Sequence, residues 1–304
     1  MENSFVKYIF DIYEWKIFVK RFLSLGVIAV ISFVLWLFPI SLIVAPFYSM
    51  TTTKVEKLES YSEAGKPTIK SVQRIIKDLL DDGLVTNFTG VNFWIDNKYY
   101  QQVGEIEMLR IAINSLENNI SRNRGTGGAN KYLVQSRSDV YADFGIPLFT
   151  SYTTRLKQAD ENIDRYLEQL EEDNSKDMNS KRAVFIVNSD NLAEVLDKLK
   201  QQLQTNIMIQ PNFFSQDDKF YRLKGNLIAM YKFLQGIDAD FKNKMIDKTS
   251  YEENFVPLLE LMEKAIAQNH LIISETFGHV SKLEKEVNLI AQKLGELRDK
   301  LKNG

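Results

Sequence analysis

Thiols, imidazoles and paired carboxylates are the side chains that most often carry chemistry, and this chain uses them sparingly. It has no cysteine, which excludes thiolate nucleophiles, disulfides and Cys-ligated metals. Its two histidines, His270 and His279, stand nine positions apart. That is not the i,i+4 spacing that puts a metal pair on one helical face, and no H-E-x-x-H surrounds them, so both read as helix-surface or core residues. Asp81-Asp82-Gly83 lacks the further ligands of an EF-hand. Asp217 and Asp218 are acids of the kind a glycan hydrolase uses. Adjacent carboxylates at a helix start, however, are read more simply as caps and dipole partners. Nucleophile-elbow, kinase and Rossmann signatures are absent. The expectation is a protein that is not an enzyme and needs no cofactor or metal.

Two groups of residues are candidates for contact with a ligand or partner. Arg122 and Arg124 precede the glycines of SRNRGTGGAN. A phosphate loop would need Gly at Asn130 and Ser or Thr at Tyr132, and should follow a strand, so that motif fails. The arginines remain able to meet a carboxylate or phosphate through paired hydrogen bonds. The second group is aromatic: Phe93, Trp94, Tyr99 and Tyr100 crowd an irregular stretch, LVTNFTGVNFWIDNKYY, and either line a groove or plug a loop onto a helical core.

The elements that would position these residues begin with the run Phe22 to Val44, about two dozen residues without a charge. That is long enough for one helix across a bilayer core of roughly 30 Å. Phe22, Leu25, Val30, Leu35, Trp36, Pro39 and Val44 mark this expected membrane anchor, with Pro39 bending it. Residues 1–21 read as a cytoplasmic or interfacial amphipathic segment. Lys7, Lys16, Lys20 and Arg21 precede the run and Lys54 and Lys57 follow it, a bias that keeps the N terminus in the cytoplasm. The run is too long for a signal-peptide core and no A-x-A site follows, so the span at 22–45 reads as uncleaved. Residues 51–304 then form an extracytoplasmic, periplasmic domain. A formal net charge of −2 with both signs interleaved gives no footprint for nucleic acid.

Helical periodicity fills this domain. Ile69 to Leu80 mark a helix from Pro67 to Gly83, and Val103 to Ile120 a longer one. Leu156 to Leu170 define another, ending in a charged linker at 171–182 that is a candidate hinge. Asn188 or Ser189 caps the next, which stops before Pro211; two further helices carry Phe220 to Met245 and Val256 to Ile266. The last is the most regular. Val280, Leu283, Val287, Ile290, Leu294, Leu297 and Leu301 alternate steps of three and four, a coiled-coil seam. In a parallel homodimer Lys293 would face Arg298 of the partner, which favours packing on the chain's own helices and leaves self-association as the alternative.

Three blocks carry a family resemblance: ISRNRGTGGANKYLVQSRSDVYADF, NSDNLAEVL and DDKFYRLKGNLIAMYKFL. They resemble the bacterial family catalogued as domain of unknown function 2333, over most of the chain. The resemblance implies a single-span inner-membrane protein with a helical part outside the cytoplasm and brings no biochemical role. The expected fold class is all-α: one N-terminal transmembrane helix, then a multi-helix bundle with a coiled-coil-like C-terminal helix. The expected function is an envelope scaffold or adaptor whose partners are the lipid bilayer and envelope proteins. The alternative is a domain that binds an envelope lipid, glycan or peptidoglycan fragment.

Overall fold

The computed structural model describes residues 26–28, 30, 63–85, 96–121, 128–144, 151–171, 183–211, 215–249, 251–270, 273 and 275–303. The chain divides into two compact units, Met1–Tyr48 and Ser49–Gly304. In the first, residues 26–28 and 30 are helical, and Val27, Ile28 and Val30 are 58%, 57% and 63% exposed. Among the described residues no helix is long and apolar enough to cross a membrane. The rest of the expected anchor, with Phe22, Leu25, Leu35, Trp36, Pro39 and Val44, lies outside them, as does the segment 1–21.

The second unit is built from helices, with no strand among the described residues. They are α1 (Lys66–Asp81), α2 (Asp96–Ser115, followed by a π-helical turn, Leu116–Ile120), α3 (Lys131–Val140) and α4 (Tyr152–Glu171). Then come α5 (Ser189–Met208), α6 (Gln216–Thr249), α7 (Tyr251–Ile266), a 3-10 turn (Glu275–Phe277) and α8 (His279–Asn303). Of the expected hinge at 171–182, Glu171 is the last residue of α4 and the remainder lies outside the described residues. The sequence reading did not anticipate α3, and it placed Tyr99 and Tyr100 in an irregular segment. Both tyrosines instead sit in the first turns of α2. The Gln102 side chain fastens that start to the end of α1, donating to the Gly83 carbonyl and accepting from Val85 N, each at 2.8 Å.

The hub is α6, 34 residues and so about 50 Å long. It packs on α1, α2, α5, α7 and α8. Its contact with α2 brings backbone against backbone. A Cβ added at Gly104 would lie 2.1 Å from the Arg222 carbonyl oxygen, and one added at Gly225 would lie 2.0 Å from that of Gln101. The two glycines thus form a reciprocal notch at which the helices cross. Its N-terminal partner α1 begins at Gly65 without a local side-chain cap. Asp240 of α6 supplies one across the fold, accepting from Gly65 N at 2.7 Å and Thr68 N at 2.9 Å. Two of the orphan donors of that helix end are thereby satisfied.

The heptad face of α8 is spent inside the unit. Val280, Leu283, Val287, Ile290, Leu294, Leu297 and Leu301 are all buried, chiefly against α5 and also against α6 and α7. Arg298 is paired with Asp197 of α5 and with its neighbour Asp299. The face a parallel dimer would have used is therefore covered by the chain's own helices.

Candidate functional site

Polar residues inside an apolar bundle are costly unless satisfied, so their arrangement is informative. The first half of α6 carries an unusual load of them: Lys219, Lys224, Asn226 and Lys232 are 6%, 3%, 0% and 4% exposed. Lys232 reaches Asp78 of α1 at 2.7 Å. Facing Lys232 from α2 is Glu105, whose pKa burial raises and the Lys232 charge lowers in part. Lys219 donates to the Ile207 carbonyl at 2.7 Å and pairs with Glu284 of α8. Lys219 thus ties the end of α5 and the start of α8 to the head of the hub.

At the centre is Glu107 of α2. Arg222 grips it side-on, with Nε 3.1 Å from Oε2 and Nη2 on Oε1. Asn206 of α5 donates to the same Oε2 at 2.8 Å and Asn226 at 3.3 Å. One carboxylate therefore joins α2, α5 and α6. Beside it opens a cleft of about 150 Å³, lined by Tyr100, Asn206, Ile209, Gln210, Pro211, Ser215, Asp218, Lys219, Arg222 and Leu223. Asn206 is 2% exposed, and its Oδ1 is buried with no hydrogen-bond partner.

Of the contact residues expected from sequence, Tyr100 lines this cleft. Tyr99 does not; its ring stacks on Phe144 at 5.4 Å, and Phe144 meets Tyr152 edge-on at 5.1 Å. Tyr152 donates to the Val140 carbonyl at 2.7 Å and its hydroxyl is pushed up to about 12 by burial. This cluster, with Arg110 donating to the Val140 and Ala142 carbonyls, holds the end of α3 in place. Phe93, Trp94, Arg122 and Arg124 lie outside the described residues.

The histidines, read separately from sequence, come together. The turn before α8, with Gly278 at φ 68°, folds His279 back onto His270, and the rings stack with centroids 3.8 Å apart and planes 10° from parallel. Burial lowers the His270 pKa, and His279, Lys282 and Lys224 push it the same way. Two stacked imidazoles are not a metal site by themselves. Among the described residues no group of three potential ligands converges.

Lys224, behind this pair, donates to the Gln268 carbonyl at 2.9 Å and to Asn269, and burial lowers its pKa from 10.5 to about 8. Between those values the unfolded chain binds more protons than the folded one, so stability rises with pH. From pH 7 to 9 the unfolding free energy is expected to rise by about 1 kcal/mol, and Lys224→Met to remove that rise. Urea titrations at the two pH values measure it. A Lys224→Met chain with the original slope would show that the slope has another source.

A protein-family model described as "Uncharacterized protein conserved in bacteria (DUF2333)" matches residues 12–205. The chain belongs to this family. No curated protein and no solved structure matches it. The DUF2333 match takes in the first two blocks that carried the resemblance and stops three helices before the C terminus, so the third, Asp217 to Leu234, lies outside it. Tyr100 and Glu107 fall within the DUF2333 segment, whereas Asn206, Lys219 and Arg222 follow its end. The sequence reading did not single out Asn206, Lys219, Arg222 or Glu107. The usable signal was the polar residues Lys219, Lys224 and Asn226 among the apolar positions of one helix.

Proposed function

We propose that this DUF2333 protein is a bitopic protein of the bacterial inner membrane. Its N terminus is cytoplasmic, the run Phe22 to Val44 crosses the bilayer, and the helical unit stands in the periplasm as a scaffold or adaptor for envelope proteins. The observation that carries the anchor is the exposure of Val27, Ile28 and Val30, three apolar β-branched side chains on a helix, each more than half exposed. In water such surface is unfavourable at roughly 25 cal/mol per Å²; in lipid it is not. The boundary between the two units at Tyr48 and Ser49, just past the run, and the charge bias of its flanks support the same reading.

The adaptor part rests on what the helical unit displays. Met208, closing α5, and Phe277, in the turn before α8, are 74% and 71% exposed. Both lie at the head of α6, where Lys219 binds the Ile207 carbonyl and Gln216 accepts from Glu275 N at 2.9 Å. Large apolar side chains held on a rigid helical end are what a protein partner would cover. The test uses the absence of cysteine: a single cysteine introduced at Met208 is expected to react with a membrane-impermeant maleimide from outside the cytoplasmic membrane.

A further inference from the structure

We propose that His270 and His279 form a pH-sensitive latch: as a neutral stack they hold the turn before α8 against the head of α6, and in acid their protonation releases that corner. This goes beyond the adaptor reading and does not depend on it. The rings of the corner make a ladder from core to surface. Phe220 of α6, 1% exposed, meets His270 edge-on at 5.8 Å; His270 stacks on His279 at 3.8 Å; His279 lies 5.6 Å from Phe277, which is 71% exposed. The histidine pair thus joins the tail behind α7 to the first residue of α8. Gly278, at φ 68°, is the pivot between turn and helix. Among the described residues, nothing hydrogen-bonds to the buried His270 Nε2 and His279 Nδ1. A neutral imidazole can leave one nitrogen bare, whereas an imidazolium must donate from both. Protonation therefore sets a buried N–H without an acceptor on each ring, and the cost of such a group is greater when it is charged.

The charges around the pair oppose a proton as well. Lys224 of α6, 3% exposed, binds the Gln268 carbonyl at 2.9 Å and Asn269 just ahead of His270, and with a pKa of about 8 it is itself charged in acid. Lys282 of α8 acts in the same sense. The tail of α7 brings Gln268 and Asn269, neither of which carries a charge. The carboxylates of the corner are engaged elsewhere: Glu286 by Gln268, Glu275 by the Ser281 N–H at 3.1 Å and by its hydroxyl, and Glu284 by Lys219. Burial first, then His279, Lys282 and Lys224, accordingly lower the His270 pKa from 6.5. Once released, the ring recovers its ordinary affinity. The open corner then binds more protons than the closed one below about pH 6.5, and gains on it as pH falls. A second proton would add direct repulsion between imidazolium ions held 3.8 Å apart. Phe277 rides on this turn, so release would move an exposed apolar side chain at the head of the unit.

The experiment exploits a chain with no cysteine and two histidines. In the full chain in nanodiscs, Val280→Cys places a thiol beside His279 at a position 3% exposed, and Ile246→Cys places one near the other end of α6 at a position 50% exposed. The ratio of their rates of reaction with an aromatic disulfide reports opening of the corner, with thiol ionisation cancelled. From about pH 7.5 to 5.5 this ratio is expected to rise at least about threefold, about tenfold being the limit that one proton sets over that interval. Far-ultraviolet circular dichroism should stay unchanged. In a His270→Phe, His279→Phe double variant, which keeps two rings but cannot take the protons, the rise should vanish. A ratio that does not change with pH would overturn the proposal. So would an equal rise in the folded double variant, or a rise that accompanies loss of helix throughout the chain. Should the double variant fail to fold, NMR of the two isotope-labelled imidazoles in the original chain decides. Loss of their mutual ring-current shift in step with protonation supports the latch, and rings that protonate while still stacked contradict it.

Discussion

Gly225→Ala is expected to destabilise the helical unit by more than about 3 kcal/mol, a large share of the 5–15 kcal/mol that holds a typical protein together. The added methyl would lie 2.0 Å from the Gln101 carbonyl oxygen and 2.8 Å from its carbon. Backbone atoms of a packed helix cannot swing aside as a side chain does, so the clash must separate α2 from α6. That separation would also pull Glu107 away from Arg222. Gly104→Ala, whose methyl meets the Arg222 carbonyl at 2.1 Å, is expected to behave alike. The control is Gly295→Ala in α8, where the nearest atom is the mobile end of Lys200 at 3.2 Å. Alanine is the better helix former by about 1 kcal/mol, so that change should be neutral or mildly stabilising. Urea unfolding followed by circular dichroism separates the cases. A Gly225→Ala chain as stable as Gly295→Ala would contradict the close crossing.

The second large effect is expected at Glu107. Its carboxylate accepts from Arg222, Asn206 and Asn226 together. Glu107→Ala leaves the guanidinium without its carboxylate and takes one of two acceptors from each buried amide, Asn206 keeping Asn226 Oδ1 and Asn226 keeping the Arg222 carbonyl, at an expected cost of about 3 kcal/mol. The figure sits at the low end for a broken buried pair because the Arg222 side chain is 30% exposed. Arg222→Met should cost a comparable amount by leaving the carboxylate unpaired. Replacing both, Glu107→Leu with Arg222→Met, should cost less than the sum, with a coupling of about 2 kcal/mol. Strict additivity in the double-mutant cycle would show that the two side chains do not act as a unit. Against this, Asp299→Ala at the exposed Arg298–Asp299 pair should change stability by less than about 1 kcal/mol.

Periodic apolar patterns made much of the fold legible. The seven seam residues of α8 and the stripe from Ile69 to Leu79 in α1 are buried as their spacing requires. What escaped was whatever turned a polar side inward. Helix α3 buries Ser136 and Asp139 beside Leu133 and Val140. Ser136 bonds the Ala159 carbonyl at 3.1 Å and Asp139 pairs with Arg155 at 3.2 Å, so the helix is held partly by groups that hide its periodicity. Its start was visible in retrospect, since Asn130 caps it by accepting from Tyr132 N at 2.9 Å. The cleft was illegible for a different reason. Glu107 and Arg222 are 115 positions apart, and nothing in either neighbourhood announces the other. The histidines likewise meet only because the chain reverses at Gly278.

The claim on which the functional reading rests is that the helical unit is carried outside the cytoplasm on the N-terminal run. The most direct measurement is labelling of a Met208→Cys chain in spheroplasts with a membrane-impermeant maleimide that carries a photo-crosslinker. Met208 is 74% exposed and the chain has no other thiol, so the signal comes from one place. The expected result is labelling of intact spheroplasts and, on illumination, a discrete adduct with an envelope protein. Labelling that appears only after lysis would contradict the account.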